Sequence, residues 1–376
     1  MKDRLDGIEL SGIRAFAQQY RSREDMVYLT IGEPNLDTPS EIKEALIASL
    51  NDNNTHYPPA MGDPLLRSAI AKHESQFYGE AIDSENVLIT NGATEALALA
   101  FWSLLSEGDE AIVLVPSFPL YQTQIKLMGA KPVLVDVSRD DFQLTLDAVK
   151  GKVNAKTKCI VFASPNNPTG TIYNENSYKV MAELVSEFPD LYIIVDEVYR
   201  SMVYDVAYSS VREIEAIRDR IILVTSFSKS HAMTGWRVGY VVTPPALVDR
   251  MHKLHQNMVT GISSFSQSAC IRALELNTDA MVLDYKGRRD FVLAQLDEMG
   301  LEYVYPEGAF YVFPSISEFG LDSVSFAQKM ADAVGLVVIP GVYFGTDGFI
   351  RLSYGESMEI LEEGMKRLAL FVTSLR

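Results

Sequence analysis

LYIIVDEVYR (residues 191–200) and IILVTSFSKSHAMTGWRVG (residues 221–239) share one pattern, an apolar β-branched run that ends in polar residues. Neither run alternates with polar residues, which is typical of strands buried on both faces of a sheet. The first run ends at Asp196, and the second leads through Ser226-Phe227-Ser228 to Lys229. Burial of a charge is unfavourable unless the charge has a partner. Both charged residues are therefore candidate functional groups.

Further apolar runs extend this pattern in both directions along the chain. Between several of them lie amphipathic stretches with helical spacing, such as TEALALAFWSLL (94–105) and NSYKVMAELVSEF (176–188). Buried strands that alternate with helices predict an α/β domain, with a mostly parallel seven-stranded sheet covered by helices on both faces. The predicted strands are residues 87–90, 111–115, 132–136, 159–164, 191–196, 221–226 and 238–243.

The C-terminal part of the chain has a different pattern, in which long helical segments surround three short apolar runs at 310–313, 336–340 and 349–354. This pattern predicts a smaller α+β domain. The N-terminal segment flanks the sheet region on its other side, so we expect it to pack with the small domain. The predicted division is a large domain at 46–279 and a small domain made of 1–45 and 280–376.

The composition limits the class of protein. The chain has 376 residues, of which 47% are hydrophobic and 22% charged, and its net charge is −17. These values are typical of a globular protein large enough for two domains. The negative charge repels phosphate backbones, so we expect no nucleic-acid partner. Any site for an anion must then be built from a few arginines.

The cysteines and the N-terminus indicate the compartment. Cys159 and Cys270 are too few for a disulfide framework, and both lie in apolar or helical patterns typical of buried residues. Residues 1–16 carry too many charges for a signal peptide, and no apolar run is long enough to cross a membrane. We expect a cytoplasmic protein without a membrane partner.

Polar residues follow the predicted strands, and ligands of parallel sheets bind beyond the carboxyl ends of the strands. For Lys229, a surface charge is the alternative to a buried amine with a lowered pKa, the form that reacts with carbonyl groups. For Asp196, a helix N-cap is the alternative to a carboxylate that pairs with an organic cation. No cluster at metal-ligand spacing is near, so we predict no metal. The segments expected to converge are 90–92, 116–118, 164–167, 196–197 and 226–229.

A second group of residues is suited to an anion. The segment Asn91-Gly92-Ala93-Thr94 follows a strand and begins a helix, and the free N–H groups at a helix N-terminus attract anions. An ordinary helix cap is the alternative interpretation of these residues. Arg237 and the Ser226 hydroxyl are suited to hold a dianionic phosphate. Asn167 lies at a strand end within residues 164–170. A tight turn without a ligand is the alternative interpretation of this segment. No GxGxxG or GxxxxGK[ST] motif follows a strand, which argues against nicotinamide and P-loop nucleotide sites.

Three motifs in this order, NPTG (167–170), DEVY (196–199) and SFSKSHAMTGWRVG (226–239), resemble those of the class I/II aminotransferases of the fold-type-I pyridoxal-phosphate superfamily. The likeness extends over nearly the whole chain and is greatest to the bacterial aromatic and N-acetyl-diaminopimelate aminotransferase branch. It implies a transaminase of amino-acid metabolism that moves an amino group from an L-amino acid to a 2-oxo acid, with 2-oxoglutarate as the expected acceptor. The other matching segments are LTIGEPN (29–35), HYPPAMGDPLLR (56–67), NGATEAL (91–97), EGAFYVF (307–313) and FIRLSYG (349–355).

The resemblance also implies roles for individual residues. Lys229 would hold pyridoxal 5′-phosphate as a Schiff base and, once displaced by substrate, move the proton between the substrate Cα and the cofactor C4′. Asp196 would pair with the pyridinium nitrogen. Tyr199 and Asn167 would bind the 3′-oxygen. The other implied cofactor contacts are Ala93, Thr94, Ser226 and Arg237 at the phosphate and Phe118 stacked on the ring.

Substrate and subunit contacts follow from the same resemblance. Arg351 would bind the substrate α-carboxylate, with Asn167 and the backbone of Gly32 assisting. Tyr57 resembles the tyrosine that reaches the phosphate of a neighbouring subunit, which implies a homodimer with shared active sites.

Two other functions remain as alternatives. A pyridoxal-phosphate β-lyase of the cystathionine β-lyase type uses the same lysine, aspartate and arginine. The aminotransferase-like domain of a transcriptional regulator is disfavoured by the negative charge and by the short segment ahead of Leu29. No motif specifies the side chain of the amino donor. His252 and His255 lie on one face of a helix without a third ligand, which we interpret as a surface face.

Overall fold

The computed structural model of this chain describes residue 5, residues 7 and 8, and residues 10–376. Residues 1–4, 6 and 9 belong to the predicted small domain and lie outside the described residues. Helices and strands alternate through the first two thirds of the chain, as the apolar runs predict.

The strands of the described residues form three sheets. In chain order they are β1 (Val27–Tyr28), β2 (Val87–Thr90), β3 (Glu110–Val115), β4 (Lys131–Asp136), β5 (Thr157–Ala163), β6 (Tyr192–Asp196), β7 (Ile221–Ser226), β8 (Gly239–Val242), β9 (Tyr311–Val312), β10 (Leu336–Val337), β11 (Ile339–Pro340) and β12 (Ile350–Ser353).

The largest sheet has the strand order β2-β8-β7-β6-β5-β3-β4. Its neighbouring strands are parallel, except that β8 runs antiparallel to β2 and to β7. All residues of β2, β7 and β8 are buried, because helices cover both faces. The predicted mostly parallel seven-stranded sheet is confirmed.

Thirteen α-helices lie within the described residues. They are α1 (Gly12–Gln18), α2 (Ser40–Asn51), α3 (Pro64–Tyr78), α4 (Gly92–Leu104), α5 (Leu120–Leu127), α6 (Leu146–Val149), α7 (Glu175–Glu187), α8 (Phe227–Ser230), α9 (Pro245–Met258), α10 (Ser264–Glu275), α11 (Asp279–Met299), α12 (Ser323–Val334) and α13 (Met358–Leu375).

Local sequence signals explain where several helices begin and end. Asp63 caps α3 by accepting a hydrogen bond from the Leu65 N–H (2.8 Å), and Pro64 occupies the first helical position, where no donor is needed. Gly79 ends the same helix in the left-handed conformation, with φ +64°. The helix therefore carries start and stop signals in its own sequence.

A second hydrophobic core lies between the small sheets and the helices α11, α12 and α13. Phe16 and Leu29 of the N-terminal segment belong to this core, and β1 pairs with β10 in parallel. The predicted strand 336–340 is two strands, because β10 pairs with β1 whereas β11 pairs with β12. The N-terminal segment thus packs with the C-terminal part of the chain.

The domain boundary remains our proposal. Helix α2 crosses residues 45 and 46, and its Ile42 packs in the core beneath the large sheet. We propose the predicted division, 46–279 against 1–45 and 280–376, with one change: the first boundary moves to the start of α2 at Ser40, so that the whole helix belongs to the large domain. Within the part of the chain that the structure describes, no helix combines the length and the apolar character that crossing a bilayer requires.

Candidate active site

Lys229 lies directly beyond the end of β7. Ser226 accepts a hydrogen bond from the Ser228 N–H (3.4 Å) and starts the short helix α8, which fixes Lys229 within its single turn. The half-buried ammonium donates a hydrogen bond to the Gly32 carbonyl of the N-terminal segment. Burial lowers the pKa of Lys229 to about 8; Arg237 and Arg351 act in the same direction. A substantial fraction of this amine is therefore neutral near pH 8.

Asp196 is the last residue of β6, in the middle of the sheet. Its Oδ2 accepts a hydrogen bond from the Tyr121 hydroxyl (2.9 Å), and its Oδ1 accepts one from the Val198 N–H (3.2 Å). Burial raises the pKa of Asp196 to about 6, and the two hydrogen bonds oppose this shift. Each carboxylate oxygen thus has one donor and retains a lone pair for another.

Lys229 and Asp196 face the same site. Each contributes to the electrostatic environment that shifts the pKa of the other. Burial moves the two pKa values in opposite directions, towards the neutral amine and the neutral acid. Opposed shifts of this kind are a feature of catalytic sites that hold an acid and a base together.

Arg351, on β12, brings a buried guanidinium to the same site. Its Nη1 donates to Asn167 Oδ1 (2.9 Å) and its Nη2 donates to the Thr30 carbonyl (2.7 Å). Its Nε is buried and has no hydrogen-bond partner among the described residues. The guanidinium lies over the rings of Tyr311 and Phe344, with its Cζ 4.6 and 4.9 Å from their centroids. A fixed guanidinium with a free donor is suited to a carboxylate ligand.

Tyr199 is buried at the same edge of the sheet. Its hydroxyl lies 2.8 Å from the hydroxyl of Tyr311, and the two rings meet edge to face. A Cβ added to Gly32 would stand 2.9 Å from the Tyr311 hydroxyl, so a glycine at this position lets the N-terminal segment approach the site. The backbone of Thr30 and Gly32 therefore lies directly beside Arg351 and Lys229.

The turn that begins α4 (residues 91–94) packs closely against Arg237, and we call this group the cradle. Arg237 has a left-handed backbone (φ +58°), and its Nη2 and Nη1 donate to the carbonyls of Asn91 (3.4 Å) and Thr234 (3.0 Å). Gly92 has φ +69°, and a Cβ there would stand 2.5 Å from Arg237 Nη2. A Cβ on Gly239 would stand 2.6 Å from the backbone of Gly92. Both glycines are required for this close approach, which directs the first N–H groups of α4 and a guanidinium to one place.

Phe118 and Ser226 lie beside this group. Phe118 is half-buried and meets Tyr121 edge to face, with 6.1 Å between the ring centroids. Ser226 is buried, and its hydroxyl oxygen lies at the start of α8, between β7 and Lys229. The structure therefore brings together at one sheet edge the predicted residues Gly32, Ala93, Thr94, Phe118, Asn167, Asp196, Tyr199, Ser226, Lys229, Arg237 and Arg351.

Tyr57 is not part of this group. It lies on the loop between α2 and α3, and its side chain is 91% exposed. Among the described residues, no group of three or more His, Cys, Asp or Glu side chains is arranged to hold a metal ion.

The structure corrects the interpretation of His255 and adds Tyr121 to the residues around the site. His255, interpreted from the sequence as part of a surface face, is fully buried, and its Nδ1 lies 2.8 Å from Glu95 Oε1. Tyr121, the donor to Asp196, was not predicted at all. Its one local signal is its position three residues after Phe118, which places the two side chains on neighbouring turns of the chain.

Comparison with known proteins identifies the family. Residues 24–368 match the family model described as aminotransferase class I and II. A probable N-acetyl-LL-diaminopimelate aminotransferase of Bacillus subtilis (strain 168) is 38% identical and covers 98% of this chain and 95% of its own. An aspartate aminotransferase of Pyrococcus horikoshii is 39% identical, with coverages of 96% and 94%. A solved structure of aspartate aminotransferase from Thermotoga maritima superposes with a TM-score of 0.93, at 35% identity, over 99% of this chain and 100% of that one.

These relatives are all named as aminotransferases, which supports transamination over β-elimination and over a non-enzymatic role. The predicted resemblance, including the N-acetyl-diaminopimelate branch, is confirmed. The chain belongs to the class I and II aminotransferase family and is a transaminase.

Proposed function

We propose that this transaminase binds pyridoxal 5′-phosphate at the sheet edge described above, with Lys229 holding the cofactor through its amine. The observation that supports the proposal is that Asp196 and Lys229 lie at the ends of the neighbouring parallel strands β6 and β7, with pKa values shifted to about 6 and about 8. When bound, this cofactor supplies an aldehyde that condenses with amines and a ring that withdraws electrons from the adjacent carbon.

The residues present fit this cofactor at each of its polar ends. The cradle of Gly92, Ala93, Thr94, Ser226 and Arg237 offers helix N–H groups, a hydroxyl and a guanidinium to the phosphate. Its two glycines allow Arg237 and the start of α4 to approach closely, because a Cβ at Gly92 would clash with Arg237 and a Cβ at Gly239 with the backbone of Gly92. Asp196, with lone pairs free beside its two donors, is suited to the protonated ring nitrogen. Phe118 would cover the ring, and Tyr199 and Asn167 would bind the 3′-oxygen.

Lys229 performs the proton transfer in this proposal. Its pKa of about 8 provides a neutral amine at the pH of the cell, which a surface lysine lacks. With cofactor and substrate bound, the Lys229 amine would accept the proton of the substrate Cα and donate it at the cofactor C4′. Its place on the short helix α8, directly after β7, would orient this amine for the transfer.

Asp196 keeps the ring nitrogen protonated. A carboxylate in this buried position is stabilised by its hydrogen bonds to Tyr121 and Val198 and by a cation placed against its free lone pairs. Because burial opposes an unpaired charge here, the acid and a protonated ring nitrogen stabilise each other.

Arg351 binds the substrate α-carboxylate. Its Nε has no partner among the described residues, and its Nη1 bonds to Asn167, an amide that also faces the site. A substrate carboxylate satisfies the free donor and fixes the orientation of the Cα–H bond, assisted by the backbone of Gly32. Each such charge-assisted hydrogen bond contributes about 1.5–3 kcal/mol.

We also propose that the chain acts as a cytoplasmic homodimer in which Tyr57 reaches the phosphate of the partner's cofactor. The exposure of this tyrosine on its own chain supports the proposal. Mixing the variants Lys229→Ala and Tyr57→Ala tests it. If sites are shared, hybrid dimers contain one intact site, and about a quarter of wild-type activity returns on random mixing. If each subunit forms its own site, mixing restores nothing.

The reaction itself is tested by supplying the cofactor-loaded protein with a panel of L-amino acids and 2-oxoglutarate. The proposal predicts glutamate formation equal to donor consumption, and no turnover when the oxo acid is left out. The same panel identifies the donor. Release of pyruvate and ammonia from cystathionine without an acceptor would instead indicate a β-lyase.

A further inference from the structure

His255 lies in the last turn of α9, away from the site, and is fully buried. Its Nδ1 lies 2.8 Å from Glu95 Oε1. A carboxylate oxygen accepts hydrogen bonds and does not donate them, so Nδ1 carries the proton of this bond. His255 therefore anchors the Glu95 side chain from a different helix.

Glu95 connects His255 to the cradle through Asn91. Its second oxygen, Oε2, accepts a hydrogen bond from the Asn91 N–H (2.5 Å). The carbonyl of Asn91 in turn accepts a hydrogen bond from Arg237 Nη2 (3.4 Å). Asn91 is thus held at its N–H by Glu95 and at its carbonyl by the cradle arginine. The orientation of the N–H groups that follow, at residues 92–94, depends on this residue because they continue the same chain into α4.

A role in packing alone does not explain a histidine at this position. The Nε2 of His255 is buried and has no partner among the described residues. A buried nitrogen without a hydrogen bond destabilises the fold, and an apolar side chain of similar size avoids that loss. The bond to Glu95 is the contact that only a nitrogen donor provides.

Glu95 also needs a donor for an electrostatic reason. It is a buried carboxylate one residue after Thr94, close in sequence to the proposed phosphate site. A negative charge at this distance opposes binding of a phosphate dianion unless a donor offsets it. His255 supplies that donor from outside the cradle.

We infer that His255 is a positioning residue for the phosphate cradle, acting through Glu95 on Asn91 without touching the cofactor. The inference rests on the proposed function, which assigns the cofactor phosphate to this turn. It predicts that His255 controls the affinity for ligands that carry a phosphate and leaves the affinity for the same ring without phosphate unchanged.

Absorbance titrations of the cofactor-free protein with pyridoxal 5′-phosphate and with pyridoxal measure the affinity for the ring with and without its phosphate. His255→Leu removes the donor, whereas His255→Asn keeps an N–H donor near the position of Nδ1. We expect His255→Leu to raise the Kd for pyridoxal 5′-phosphate about tenfold, as loss of a hydrogen bond to a charged group implies. Its Kd for pyridoxal should not change, and His255→Asn should behave as wild type.

His252→Leu is the matched control, because it replaces a half-buried histidine on the same helix that has no bond to Glu95. It should change neither Kd. If His255→Leu does not fold, His255→Met takes its place, because it also lacks the donor and its flexible side chain adapts to the buried space; it should show the same phosphate-selective loss.

An unchanged Kd for the phosphate form, or an equal loss for both ligands, overturns the inference and leaves the proposed function intact. Failure of the wild-type protein to bind pyridoxal 5′-phosphate overturns both.

Discussion

Asp196 and Glu197 are consecutive residues at the end of β6, yet their side chains enter two different buried clusters of charge. Asp196 faces the active site with Lys229. Glu197 enters a cluster that we call the buried ion network, which consists of Glu74, Tyr78, Glu197, Arg200, Ser210 and Tyr240.

The buried ion network is saturated with hydrogen bonds. Arg200 donates to both oxygens of Glu74 and to the hydroxyl of Tyr78 (2.9 Å), and the Tyr240 hydroxyl donates to Glu74 (2.7 Å). Glu197 accepts hydrogen bonds from Tyr78 and Ser210. This network joins α3 to the end of the sheet, and each of its charged groups already has hydrogen-bond partners within the protein.

The active-site charges are less completely paired. Arg351 keeps a buried Nε without a partner among the described residues, and burial displaces the pKa of Lys229 and of Asp196 towards their neutral forms. The comparison teaches that burial of charge alone does not mark a functional site. The two clusters at the end of β6 differ instead in the capacity left for a further partner.

The largest effect should come from Lys229→Ala. Loss of the amine removes both the attachment of the cofactor and the proton transfer, and general acid–base catalysis alone contributes about 10²–10⁴-fold. We expect turnover to fall by at least that factor while the melting temperature of the cofactor-free protein stays near that of wild type. Lys131→Ala, at an exposed lysine, is the control. Full turnover in the Lys229 variant would refute the assignment.

Arg200→Met tests the structural role of the buried ion network. It leaves Glu74 and Glu197 buried without their cation, which should destabilise the fold by about 3–5 kcal/mol in urea unfolding of the cofactor-free protein. Arg23→Met removes an exposed ion pair with Asp25 and should cost less than about 1 kcal/mol. Equal effects of the two substitutions would contradict a structural role for the network.

Arg351→Ala should raise the substrate KM by about 10–100-fold, because a charge-assisted hydrogen bond contributes about 1.5–3 kcal/mol. The affinity for the cofactor should remain unchanged. Arg351→Lys should restore little, since an ammonium cannot present two parallel donors to a carboxylate. Steady-state kinetics over a range of donor concentrations measures the effect. An unchanged KM would show that another cation holds the carboxylate.

The smallest predicted effect is a pH dependence of cofactor capture. The neutral amine of Lys229 reacts with the aldehyde, and its fraction grows as the pH rises towards a pKa of about 8. The initial rate of capture by the cofactor-free protein should therefore rise about tenfold between pH 6 and 7, about fivefold between pH 7 and 8, and level off above about pH 9. Stopped-flow absorbance measures this rate. A rise that continues up to pH 10 would show that the pKa of Lys229 is not lowered.

Most of the large sheet could be predicted from the sequence because its strands are buried on both faces and therefore read as unbroken apolar runs. The run at 336–340 could not be divided correctly. Its first half pairs with Val27–Tyr28, a partner that no local pattern reveals.

The motif residues of the site could also be predicted, since each directly follows a strand or belongs to a recognisable motif. Tyr121 and His255 could not, because their partners Asp196 and Glu95 lie 75 and 160 positions away in the chain. Hydrogen bonds of that range depend on how helices pack on the sheet, and sequence periodicity does not encode them. The residues that support the site are for this reason harder to predict than those that form it.

Reduction of the cofactor-loaded protein with borohydride, followed by peptide mapping, tests the assignment of Lys229 most directly. Reduction makes the bond between the cofactor and its lysine permanent, so the modified residue can be identified by mass. The account predicts one phosphopyridoxyl group per chain, on the peptide that contains Lys229, and none in Lys229→Ala. A label on another lysine, or no label on a chain that transaminates, would contradict it.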